Sequence, residues 1–321
     1  MKLFDAIKPL GLAVILLPLS FVQLPAQEPS PLHWAYQISA PGVAPVPATK
    51  DDGSQRRVPD SMVSMTLSQT RDRFNAPDWH PASHPPMPQI VLNGRRPDTH
   101  ACAFCHRAEG QGGAENANIS GLDKGYIIRQ LKEIRSAARR SASDQRASMI
   151  TKHLMAASLT DDEIEAGASY FADLPARSTL KVVETDIVPK TINYMGLFTA
   201  ALTGAETEPL GERIIEMPDD PERFELRDTR TTFTAYVPRG SIERGKALAA
   251  EGCVACHGEG LKGGIGPRLA GQYTSYTVRQ LNDFKIGKRA GEQAGSMAGV
   301  VEKLPLSDMI ALAAYAASLT P

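Results

Sequence analysis

The four cysteines of this 321-residue chain occur only as Cys102-Ala-Phe-Cys105-His106 and Cys253-Val-Ala-Cys256-His257. Two thiols three positions apart at the start of a helical turn can reach the two vinyl groups of one porphyrin. The histidine that follows then lies beneath the iron as its proximal ligand. Each C-x-x-C-H is read as an attachment site for c-type haem, which implies two covalently bound haem groups. A structural disulfide would leave both histidines unexplained. A four-cysteine zinc site would need two pairs far apart in the chain to meet, and a thioredoxin-like dithiol belongs in a βαβ pattern that is not visible here.

The surroundings of the motifs repeat. Ile119-Ser-Gly through Tyr126, Arg129, Gln130 and Leu131 matches Leu269-Ala-Gly through Tyr276, Arg279, Gln280 and Leu281 without a gap. Leu159 to Tyr170 then matches Leu304 to Tyr315, and a Ser-Met pair lies between the blocks in both copies, Ser148-Met149 and Ser296-Met297. The blocks have helical periodicity: Tyr126, Ile127, Gln130, Leu131 and Ile134 fall on one stripe, as do Tyr276, Val278 and Leu281. Thr160 through Glu163 has the form of a capping box, and Pro305 suits the first turn of its helix. Ser241 to Ala250 predicts a short helix before the second motif, with a weaker counterpart near Pro88 to Gly94. The fold class expected is mainly α: two small helical haem domains joined by an irregular, partly β connector. Such units are too small to build a large core from side chains alone, and a haem supplies much of the missing apolar volume.

The sequence resembles the class I cytochromes c and, in tandem form, the dihaem cytochromes of the c4 type. The residues that carry the resemblance are Gly252-Cys253 to His257-Gly258, Gly266-Pro267-Arg268-Leu269, Tyr276, Gln280-Leu281, and Met297 seven residues before Leu304. The resemblance implies that Met297 closes the second iron and that the Pro267 carbonyl orients His257. The first copy departs from the pattern. Kept spacing puts Lys152 at the ligand position, Met149 needs a three-residue insertion, Met155 a three-residue deletion, and His153 lies between them. Met149 is preferred because it repeats the Ser-Met pair. Ala117 stands where the second copy has Pro267.

The expected organisation is an export signal over 1–26, a proline-rich extension over 27–88, haem domains over 89–176 and 238–321, and a connector over 177–237. Lys2 and Lys8, the apolar stretch Leu10 to Val22 and the cleavage-like Leu24-Pro25-Ala26 point to export into a periplasm. No later segment is an uninterrupted apolar span, so no transmembrane anchor is expected in the mature chain. The net charge of −1 argues against a nucleic-acid partner. A basic stretch (Arg129 to Arg146) and an acidic one (Glu212 to Glu225) read as solvated faces, with docking of a redox partner as the alternative. His80, His84 and His100 read as a loop surface rather than a metal site, and alternation around Lys181 to Ile187 and Gly211 to Glu216 predicts short strands.

The function expected is electron transfer between a periplasmic dehydrogenase or quinol-oxidising complex and a terminal oxidase. Two alternatives stand beside it. One is a dihaem enzyme, peroxidase-like or thiosulfate-oxidising, with an open distal site at the first haem. The other is a cytochrome subunit docked to a larger dehydrogenase through the connector.

Overall fold

The computed structural model describes residues 32–38, 46–143, 147–194, 197–200 and 206–321. The expected export signal lies outside the described residues. Among those described, no helix is long and apolar enough to cross a membrane.

The N-terminal part contains three single-turn helices, α1 (His33–Tyr36), α2 (Leu67–Thr70) and α3 (Gln89–Leu92), among irregular segments. It wraps the rest of the molecule and adds a small cluster of its own, Val58, Leu67 and Trp79 closed by Leu226 of the connector. Trp34, Ala35 and Tyr36 are buried with Val278 and Ile310 of the C-terminal unit, and the Tyr36 hydroxyl donates to Asp283 at 2.8 Å. Further on, Trp79 Nε1 donates to the Leu226 carbonyl at 2.7 Å. The three histidines singled out in the sequence do not form one loop surface. His80 is buried, because the connector brings Asp228 to it at 3.0 Å; His84 lies 3.2 Å from Asp78, and His100 meets the Phe74 ring edge-on.

The first helical unit follows. α4 (Cys102–His106) carries the attachment motif and leads through a loop to α5 (Lys124–Arg135), α6 (Ala147–Ser158) and α7 (Asp161–Asp173). The Asp123 side chain caps α5 by accepting from Tyr126 N at 2.7 Å. Thr160 and Glu163 form both bonds of the expected capping box on α7. Ile127 of α5 and Ile164, Ala168 and Phe171 of α7 share a buried cluster with Phe104 of the motif.

The connector is a small β region. β1 (Leu180–Glu184), β2 (Ile187–Pro189), β3 (Thr191–Tyr194), β4 (Leu197–Ala200), β5 (Thr207–Pro209) and β6 (Ile215–Pro218) precede α8 (Pro221–Glu225) and β7 (Phe233–Val237). β7 is central to a three-stranded sheet, parallel to β1 and antiparallel to β6; β2 pairs with β5 and β3 with β4. Glu216 of β6 is buried and fixes the next domain: Thr274 N and Oγ1 both donate to it at 2.9 Å, and Ser275 Oγ adds a third bond. The acidic stretch therefore does not form one open face, since Glu216 is internal and Glu225 pairs with Arg71 at 2.6 Å. The basic stretch is divided as well: Arg135 reaches Asp161 at 2.8 Å, and Arg139 is drawn into the domain interface.

The second unit contains α9 (Ser241–Gly252), α10 (Val254–His257), α11 (Thr274–Lys285), α12 (Ala294–Val301) and α13 (Leu306–Ser318). α9 crosses alanine-rich α13 at very close range. A Cβ on Gly245 would lie 2.0 Å from the Ala311 carbonyl oxygen, so the crossing requires glycine.

Candidate functional site

In the first unit the motif helix, α5, α6 and α7 enclose a cavity of about 360 Å³. Its walls include both motif cysteines, His106, and the apolar side chains Ile127, Ile134, Ile164 and Phe171. His106 Nδ1 donates to the Ala117 carbonyl at 3.1 Å, which leaves Nε2 with its lone pair. Burial, with the cation of Lys152 adding to it, pushes His106 down to about 3, so the ring is neutral and able to ligate a metal. In the second unit His257 Nδ1 donates to the Pro267 carbonyl at 2.7 Å, and burial lowers this imidazole too. The Pro267 contact implied by the resemblance is present. In the first unit a backbone carbonyl does the same work without a proline, because the contact uses main chain and not side chain.

Gly266 is required beside His257: a Cβ there would lie 2.7 Å from the imidazole carbon Cε1. The thiols stand in unequal surroundings. Cys102 is pushed up to about 12 by burial, with Cys105 adding to the shift, whereas Cys256 is exposed. Ala103 and Phe104 are 1% and 8% exposed, and Arg227 of the connector lies 3.8 Å over the Phe104 ring and donates to its carbonyl. Their counterparts Val254 and Ala255 are exposed. The extension and connector thus cover the first attachment helix and leave the second bare.

Four residues tie the units together: Gln130 and Gln280 of the repeat, Arg139 of the basic stretch, and Arg289, which the sequence reading passed over. Arg139 donates to Gln130 at 2.8 Å and to Gln280 at 2.9 Å; Arg289 donates to Gln280 at 3.1 Å and to Gln130 at 2.7 Å. Arg139 also reaches the Tyr276 hydroxyl at 3.1 Å. The signal was present, because each arginine lies thirteen residues after its repeat tyrosine, Tyr126 or Tyr276. Among the described residues neither arginine forms an ion pair with a carboxylate, and Arg289 Nε is buried without a hydrogen-bond partner. Arg289 is buried and Arg139 half-buried, and cations placed so call for an anion. The first cavity extends to Gln130, Arg139 and Tyr276, so it opens onto this interface.

These features fit a porphyrin: apolar walls for its faces, paired thiols for its vinyl groups, an oriented imidazole for its iron, and interface cations for its carboxylates. When bound, the group supplies a reversible one-electron couple at iron. His106 and His257 would face the iron as oriented imidazoles, the apolar walls would exclude water, and Arg139 in the cavity wall would meet the ring carboxylates.

In the second unit Met297 of α12 packs against Phe284, Ala294 and Val301. In the first, Lys152 and Met155 line the cavity. Among the described residues Met149 is not part of its wall; it lies half-buried one turn earlier on α6. His153 turns its Nδ1 to the Ile134 carbonyl at 3.0 Å.

Comparison with known proteins matches the Cytochrome c family model to residues 92–175 and 242–320. The thiosulfate dehydrogenase electron acceptor of Stutzerimonas stutzeri is 27% identical over 231 residues, 70% of this chain and 82% of that protein. A cytochrome c4 of Thiocapsa roseopersicina is 44% identical over 85 residues, 25% of this chain and 40% of that protein. Among solved structures, thiosulfate dehydrogenase (TsdBA) from Marichromatium purpuratum aligns with a TM-score of 0.45 at 26% identity, over 69% of this chain and 37% of that one. Cytochrome c4 of Acidithiobacillus ferrooxidans aligns at 0.43 and 22% identity, over 68% and 98%. The two matched regions hold both oriented histidines and together span more than half of the chain, which belongs to the cytochrome c family.

Proposed function

We propose that this chain is an exported, periplasmic dihaem cytochrome that takes electrons from a dehydrogenase and passes them to a terminal acceptor. One observation carries the reading. Both attachment histidines are oriented by backbone carbonyls, and the first cavity reaches Tyr276 of the other domain through Arg139. A cofactor seated in the first cavity adjoins the second domain at this interface, and fixed geometry between domains is what a relay requires. Cys102, Cys105 and His106 hold the first haem; Cys253, Cys256, His257 and Met297 hold the second, with Pro267 orienting His257.

The likeness to an electron acceptor of thiosulfate dehydrogenase makes that enzyme the first donor to test. Oxidised holoprotein is mixed with a catalytic amount of thiosulfate dehydrogenase and excess thiosulfate. Reduction of both haems, followed by return of two electrons per chain to ferricyanide, supports the reading. If thiosulfate leaves the haems oxidised, that donor falls. If fewer than two electrons are returned after dithionite reduction, the dihaem relay falls.

A further inference from the structure

The two domains fix which residue of α6 stands where Met297 stands in α12. The N-cap of α7 is Thr160 and that of α13 is Pro305, and both directly follow the matched leucines Leu159 and Leu304. Counting back from these caps without a gap sets Ala156 against Val301, Leu154 against Gly299 and Lys152 against Met297. Burial agrees with that register. Ala156 and Val301 are 1% and 0% exposed, while Leu154 and Gly299 are both exposed. Setting Met149 or Met155 opposite Met297 moves the caps three positions out of step. In the gap-free register Met155 instead corresponds to Val300, which is exposed.

Lys152 also lies in the wall of the cavity that holds His106. Register and cavity therefore converge on one side chain.

We infer that the ε-amine of Lys152, in place of a thioether, closes the distal position of the first haem. The amine supplies its lone pair to the metal, the ammonium proton leaves to solvent as that bond forms, and no electron changes hands. A nitrogen donor is harder than a thioether and favours the oxidised metal, so the first haem titrates below the second. Electrons then run downhill from the first domain to the second. The inference rests on the dihaem reading and gives it a direction.

The mature holoprotein is first analysed as its pyridine haemochrome. Two haems per chain keep the dihaem reading; a single haem overturns that reading and this inference with it. The weak long-wavelength methionine-to-iron band of the oxidised protein then carries the intensity of one haem. Lys152→Met doubles the band and raises the lower of the two midpoint potentials, whereas Met149→Leu and Met155→Leu leave the band unchanged. With two haems present, three results overturn the Lys152 assignment alone: two-haem band intensity in the wild type, a weakened band in either methionine variant, or an unaltered spectrum in Lys152→Met.

Discussion

Arg139 of the first domain and Arg289 of the second each reach across to the other's glutamine, Arg139 to Gln280 at 2.9 Å and Arg289 to Gln130 at 2.7 Å. The exchange is reciprocal because the repeat places both pairs at equal offsets. A main-chain bond from Ala290 N to the Ala138 carbonyl at 2.7 Å reinforces it. The interface is thus a pseudo-two-fold contact whose cations lie where two haem domains meet.

Replacing Arg139 with Gln removes a cation beside the first cavity. Reduction adds negative charge there, so its loss lowers the midpoint potential of the first haem. The variant also loses half-buried hydrogen bonds to Gln130, Tyr276 and Gln280, each worth about 0.5–1.5 kcal/mol. Potentiometry and denaturant unfolding of the holoprotein read both effects. Unchanged potentials would remove Arg139 from the haem environment.

Gly266→Ala drives a methyl group into His257, which a Cβ would approach to 2.7 Å. The expected outcome is a displaced proximal ligand in the second domain only. One of two haems loses its low-spin spectrum while the first, oriented through Ala117, keeps it. Electron paramagnetic resonance of the oxidised protein separates the two signals.

Glu216→Ala removes the acceptor that holds Thr274 and Ser275 at the start of α11. Buried donors left without a partner cost about 1–3 kcal/mol. Unfolding in urea should shift to lower midpoint, with the second domain released from the sheet. A midpoint equal to wild type would show that the bonds contribute nothing net.

His84 gives the extension a pH dependence. Its hydrogen bond to Asp78 raises the imidazole above its ordinary range, outweighing the opposing effect of burial. Protonated His84 therefore contributes stability that is complete below the unfolded value of about 6.5 and is lost as pH rises through the elevated folded value. Against a His84→Gln variant, wild type should hold its stability advantage in mild acid and lose it toward alkaline pH. A constant difference would contradict the pairing.

The attachment motifs were legible because covalent haem chemistry needs its residues within one turn of chain. The Thr160–Glu163 box and the helix expected from Ser241 were legible for the same reason, since capping and periodicity are local. The connector was legible only in part. Strands were expected near Lys181 and Gly211 and form at Leu180–Glu184 and Ile215–Pro218, but β7 between them joins partners distant in sequence. Trp34 and Tyr36 gave no sign of their burial, because the surface that covers them comes from α11 and α13. The distal side of the first haem stayed open between Met149, Met155 and His153 for a related reason. Which side chain enters the cavity depends on how α6 sits on α5, and spacing alone does not determine that.

The most direct test of the account is an optical redox titration of the mature holoprotein, with carbon monoxide added to the reduced form. The account predicts two low-spin haems, two one-electron steps with the first domain below the second, and no spectral change with carbon monoxide. Carbon monoxide binding at either haem would contradict it, showing an open distal site and a chain built to react with a substrate rather than to relay electrons.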